Sequence, residues 1–282
     1  MGGGAVIETV MMGFYVYGFT VPDARAQDLE GVCGGKIEVR SHAKLGAICE
    51  AVNADEFSKL LTEHVEDPNW VAGKAILHDR TISSFIGAGV IPLRFGSVVP
   101  DLESLNILLE RESKAMIDRL AALHGQREFT VRVWADRDEL EPRLVEANPE
   151  LDDLQAELNG STPGRQYLFK RKLKDALEVE VRKVLPDLRR EAFSRLEDAV
   201  TDIRVLERIP ASQGANPGVL ECAVLLDSIS ESLLLGELAG WPDRLAMCAE
   251  LSGPFAPYSF ANPESKLEAV TPVVPGVQEM RA

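Results

Sequence analysis

A chain of 282 residues, 45% of them hydrophobic, can bury one large core or two ordinary ones, and its length favours two domains. Its formal net charge of −15 argues against a nucleic-acid binder, which needs clustered Lys and Arg, and against docking on anionic lipid by charge alone. Cys33, Cys49, Cys222 and Cys248 include no C-x-x-C pair, so reduced thiols in the cytoplasm and no cysteine-based metal site are expected.

The opening "MGGGAVIETVMMGF" lacks the basic region and cleavage site of a signal peptide and the Ser or Thr of a myristoylation signal. No apolar run reaches membrane-spanning length, so a soluble, intracellular protein is expected. "FYVYGFT", 14–20, is aromatic and β-branched and predicts a strand. Residues 36–52 are strand-like, with a break at Lys44–Gly46. Asn53 with Glu56 three residues on marks a helix start, and Phe57, Leu60, Leu61 and Val65 give that helix one apolar face. Asp67-Pro68 caps a second helix, which "GAG", 87–89, stops. Val90–Leu93 follows as a core strand, and Asp101 caps a third helix that ends at Gly125. "EFTVRVWAD", 128–136, alternates Phe129, Val131 and Val133 with Thr130, Arg132 and Trp134, the period of a strand.

Residues 148–163 mix turn residues and acids and suggest a variable insertion. A long helix starts near Gly164, with Pro186 expected to kink or split it. Strands are expected at 201–209 and 218–227, a helix at 228–251 with breaks at Gly240 and Pro242, and an extended edge piece at 252–260. The tail, 262–282, shows too little periodicity to fold and is expected to be mobile. The fold class is therefore α+β in two domains. Residues 14–126 form an N-terminal α+β domain of unassigned topology. Residues 127–261 have the β-α-β-β-α-β order of a ferredoxin-like domain.

No catalytic constellation can be assembled. Among His42, His64, His78 and His124 only His78 has an adjacent acid, Asp79, and helix neighbours do not face each other. "GGGA", "GGK" and "GSTPGRQ" lack the residues and context of a phosphate cradle. Glu139–Glu141 and Asp152–Asp153 fall in polar, turn-rich stretches, where exposure makes poor general bases. The one basic region is 161–200, with ten Lys or Arg against seven Asp or Glu. It is a solvated face or an electrostatic docking face. In "GVIPLRFGSVVPD", 89–101, Gly96 makes a tight exit and Phe95 fills the core. Arg94 is expected to pair with an acid or with carbonyls of a neighbouring element, with contact to a partner as the alternative.

"YVYGF" at Tyr15–Phe19, Trp70 with His78-Asp79, "PLRFG" at Pro92–Gly96, "GRQYL" at Gly164–Leu168 and "GPFAPYSF" at Gly253–Phe260 stand in one order along the chain. Together they resemble the GvpF/GvpL family of gas vesicle proteins. Phe255 and Ala256 depart from the Trp and Pro of that family's closing motif. The resemblance implies an accessory or minor structural protein of gas vesicles, with no cofactor and no enzymatic role. Its implied location is the cytoplasm and the gas vesicle. The implied partners are a very hydrophobic, GvpA-like shell protein and other gas vesicle accessory proteins. Candidate partner-binding residues are Arg94, Phe95, Arg165, Tyr167, Lys170, Arg171, Phe255 and Tyr258. Two other classes compete. One is a small-molecule-binding regulator or enzyme on a ferredoxin-like domain. The other is a self-associating scaffold, with the basic helix of one copy on an acidic face of the next.

Overall fold

A computed structural model describes residues 12–261. The chain divides into two compact units. Among the described residues the first holds 12–127 and 255–261; the second is Glu128–Pro254. The closing segment Phe255–Ala261 thus belongs with the N-terminal unit, whereas the sequence placed it in the C-terminal domain. Its apolar residues explain the difference: Ala256 is fully buried in the same cluster as Tyr15, Tyr17, Phe85 and Val90.

The first unit is built on an antiparallel sheet ordered β2-β3-β1-β4, where β1 is Met12–Thr20, β2 Ile37–His42, β3 Leu45–Asn53 and β4 Val90–Pro92. A short β5, Val98–Val99, pairs with β1 beyond β4. The expected break in 36–52 is a hairpin turn at Ala43-Lys44, with His42 opposite Leu45. β1 is buried along nearly its whole length because both faces of the sheet are covered. Helices α1, Ala54–His64, and α2, Pro68–Ser83, pack on one face. Helix α3, Leu102–Leu123, also packs on the sheet and buries Leu105, Leu109, Met116 and Leu120. The caps follow local chemistry. Asn53 accepts from the Glu56 amide, Asp67 from Asn69 and Trp70, and Asp101 from Ser104, each satisfying an amide left free by the first turn.

The second unit has a four-stranded sheet in the order β7-β8-β6-β9: β6 is Arg127–Ala135, β7 Asp202–Val205, β8 Gly218–Leu226 and β9 Met247–Phe255. Phe129, Val131 and Val133 enter one core with Val181, Leu196, Val224, Leu234 and Trp241, as the alternation predicts. Here the structure differs from the sequence expectation in four places. Residues 137–160 are helical: α4, Arg137–Ala147, capped by Asp136, and α5, Pro149–Gly160, capped by Asn148. Their caps and first-turn acids outweigh the turn-like composition, and Glu139, Glu141, Asp152 and Asp153 lie on helices. Helix α6, Pro163–Ala199, runs unbroken through Pro186. Pro186 and Arg182 are both exposed, so water can replace the missing donor. β7 is shorter than expected. Finally, the region 228–251 is α7, Ser228–Ala239, then α8, Trp241–Leu245, and already strand from Met247. Ala246, at φ 52°, ends α8 and redirects the chain. Pro254 does lie on an edge strand.

Leu196 is fully buried where α6 meets this core. Leu196→Ala is expected to cost about 2–5 kcal/mol, the usual penalty for lost transfer energy plus a cavity. Urea denaturation should show it as a lowered midpoint.

Candidate functional site

The polar chemistry of the first unit converges on one face of β1. Tyr15 and Tyr17, two residues apart on the strand, both point there, and the pairing with β3 shifts register beside them, between Val16 and Gly18. The Tyr17 hydroxyl donates to Glu50 Oε2 at 2.7 Å and accepts from the Val32 amide at 2.8 Å. Glu50 is fully buried on β3. Its carboxylate also accepts from the amides of Cys33 and Gly35. The loop 31–35 can close only because Gly31 and Gly35 have no side chain: a Cβ there would lie 2.2 and 2.8 Å from the carboxylate. The "GGK" that fails as a phosphate cradle thus belongs to a loop whose amides hold the chain's own Glu50 carboxyl group. Lys74 of α2 fastens the same loop by donating to the Val32 carbonyl.

Beside this lies a second chain of bonds. His78 of α2 faces the Leu93 carbonyl through Nε2 at 3.1 Å and the Tyr15 hydroxyl through Nδ1 at 2.8 Å. A carbonyl only accepts, so Nε2 carries the proton and Nδ1 accepts from Tyr15. Tyr15 in turn accepts from the Gly96 amide at 3.1 Å. Burial pushes the His78 pKa down to about 4, against a smaller upward pull from the Leu93 bond. Burial is also the main cause raising the Tyr15 and Tyr17 hydroxyls above their ordinary values. Neutral, buried and fully engaged, these groups join elements and are poorly placed to exchange protons with a substrate. Among the described residues no three His, Cys, Asp or Glu side chains gather as a metal site. No helix among them is long and apolar enough to cross a membrane.

The segment 93–97 is the turn between β4 and β5. The Leu93 amide donates to the Tyr17 carbonyl and the Val16 amide to the Ser97 carbonyl, both at 2.8 Å. Gly96 takes φ 88°, which favours glycine. Phe95 packs half-buried against the rings of His78 and Tyr15, at 5.9 and 6.3 Å. Arg94 corrects the expectation of pairing: it is exposed and makes no ion pair among the described residues. Phe255 and Tyr258 lie in the same unit, partly exposed. The Tyr258 hydroxyl is held above its usual value, mainly by burial and then by the Asp79 charge.

The other four candidates lie on α6, in the second unit. Tyr167 and Lys170 are exposed. Arg165 lies over the Phe169 ring at 5.4 Å, and Arg171 is 3.9 Å from Asp175. The eight candidates thus divide equally, four in each unit.

Two features of the second unit were missed. An open groove of about 630 Å³ runs between α4, α5 and α6. Leu173 and Leu177 line it with Asp138, Glu141, Glu146 and Asp152, a carboxylate rim unlike the closed apolar pocket a small-molecule site predicts. The other is the outer face of α7, where Ile229 and Leu233, one turn apart, are 72% and 70% exposed. "SLLLGELAG" carries too many apolar residues to bury on one side. That signal was available.

Fold and site together define a class: a two-unit α+β protein whose buried polar groups join its own elements. The family described as Gas vesicle synthesis protein GvpL/GvpF matches residues 13–262, and the chain belongs to that family. It is 30% identical over 253 residues to Gas vesicle protein L of Streptomyces sp. (strain CB03234), covering 88% of this chain and 92% of that one. It is 28% identical over 182 residues to Gas vesicle protein F of the same strain, covering 62% and 71%. Among solved structures it is similar to the gas vesicle protein GvpF from Anabaena sp. PCC7120, with TM-score 0.61 and 16% identity. GvpF from Microcystis aeruginosa gives 0.55 and 18%. Each covers 90% of this chain and 100% of its own. At these identities the two structures establish the fold alone.

His78 supplies a prediction with a definite sign. Its pKa is about 4 folded and about 6.5 unfolded, so the unfolded chain binds the proton first. Its contribution is complete above pH 6.5 and is lost as pH falls from 6.5 to 4, by roughly 3 kcal/mol in total. Urea denaturation at several pH values should show this slope, and H78Q should flatten it. Tyr17→Phe should cost about 1–3 kcal/mol at neutral pH, since it leaves the Val32 amide and one Glu50 oxygen short of a partner.

Proposed function

We propose that this protein is an accessory or minor structural component of gas vesicles that binds the hydrophobic shell subunit and supports vesicle nucleation and assembly in the cytoplasm. The observation that carries this reading is the family match over residues 13–262. The exposed surface offers a physical means. A shell subunit with a large apolar face aggregates unless that face is covered. The outward Ile229 and Leu233 of α7 provide apolar cover, and a net charge of −15 keeps carrier and cargo in solution. Exposed Arg94, Tyr167, Phe255 and Tyr258 remain candidate contacts to the shell protein or to other accessory proteins. The role needs no catalytic residue. We further read the second unit as ferredoxin-like, because the order β7-β8-β6-β9 with helices after the first and third strands is that of a split βαβ unit.

Co-expression with the shell subunit tests the proposal. A soluble complex should form. Replacing Ile229 and Leu233 together by Glu should weaken it about tenfold or more, a loss of about 1.4 kcal/mol. A shell subunit that stays insoluble with the wild-type chain would refute the role, and a complex indifferent to the double substitution would move the contact off α7.

A further inference from the structure

The N-terminal half of α6 carries an outward stripe that the proposed function does not use. Leu168, Lys172, Asp175 and Val179 follow one another at intervals of four, three and four residues. At about 100° per residue they fall within a sector of about 60°. All four are exposed, Leu168 and Val179 at 51% and 50%. Phe169, Leu173, Leu177 and Val181 face inward. The 4-3-4 spacing is that of a helix-pairing seam, with apolar ends and two opposite charges between them.

That order of residues is self-complementary. In an antiparallel pair whose two-fold axis passes midway between positions 172 and 175, Leu168 meets Val179 of the second copy and Lys172 meets Asp175 of the second copy. Symmetry makes each contact twice. A parallel pair would instead set Lys172 against Lys172 and Asp175 against Asp175. We propose that this stripe of α6 is a self-association surface, on which a second copy of this chain docks antiparallel through Leu168, Lys172, Asp175 and Val179.

Local charge suits this pairing better than the overall −15 suggests, since residues 161–200 carry ten basic and seven acidic side chains. The existing Arg171–Asp175 contact, 3.9 Å with both groups 72% exposed, is too loose to hold Asp175 from a new partner. Glu178 is directed elsewhere, to Arg137 at 2.7 Å. The seam has a natural limit, because the next pair outward would oppose Arg165 and Arg182. Such a pairing of about three turns buries less than the ~800 Å² per partner of a stable interface, so the dimer is weak and salt-sensitive. The inference is independent of shell binding.

Sedimentation velocity on the full chain tests it. Wild type should shift from monomer towards dimer with concentration at low salt, and the shift should vanish near 1 M salt, where screening reaches about 3 Å. K172D alone should be monomeric, since the introduced carboxylate would face Asp175 of the second copy, and D175K alone should be monomeric for the converse reason. Mixing these two variants should restore the dimer, because both charge pairs then become opposite again. Wild type that remains monomeric at low salt overturns the proposal. So does a dimer that either single variant leaves intact, or a mixture that fails to recover it.

Discussion

The first unit depends on keeping one buried carboxyl group, that of Glu50, fully hydrogen-bonded inside it. Burying Glu50 without partners would cost several kcal/mol, so the surrounding chain is arranged to supply donors. Tyr17 gives a hydroxyl, and Cys33 and Gly35 give amides. The demand fixes β1 to β3, holds loop 31–35 over the sheet and dictates glycine at 31 and 35. Lys74 then ties that loop to α2. A change at Glu50 would therefore remove more than one contact: a loop, a strand pair and a helix share it.

His78 extends the same arrangement, on the same face of β1, towards the β4 edge. Its two nitrogens join α2 to Tyr15 and to the Leu93 carbonyl, and Tyr15 passes the connection to Gly96. The "YVYGF" and "PLRFG" motifs are thus two ends of one hydrogen-bonded joint, which explains why a glycine sits between two strand pieces. The turn at 93–97 faces the place where β1 changes register, and neither irregularity would be satisfied without the other.

What the sequence disclosed was mostly local. Asn53, Asp67 and Asp101 announced their helices because a cap is made within three residues. The alternation of Phe129, Val131 and Val133 announced its strand and its buried face. What stayed hidden was set at long range. Glu50 sits 33 residues from Tyr17, and no period or motif marks a buried acid whose donors come from elsewhere. The helices α4 and α5 were obscured because their acids resemble a loop in composition, although Asp136 and Asn148 are good caps. Met247–Leu251 looked helical by continuity, and only the left-handed turn at Ala246 shows why the chain becomes strand. For the candidate site, Phe95 was placed correctly against the core. Arg94 was not, because its guanidinium escapes into solvent at the tip of the turn.

Both units combine buried polar joints with apolar residues left outside on helices: Glu50 is bonded to Tyr17 in the first and Glu221 to Arg132 in the second, while Ile76 and Ile107 of the first unit are exposed. In the first, the distinctive side chains (Tyr15, Tyr17, Glu50 and His78) are all turned inward, and motif residues there act mainly as joints. In the second, apolar and charged groups likewise remain outside on helices that already have a complete core beneath them, as at Ile229 and Leu233 on α7 and at Leu168 and Val179 on α6. Helix faces left exposed over a finished core can change without unfolding the protein. A joint built from buried hydrogen bonds cannot, since each lost partner leaves another group unsatisfied. Variation in binding is therefore best accommodated on exposed helix faces, and constancy of architecture by the buried joints.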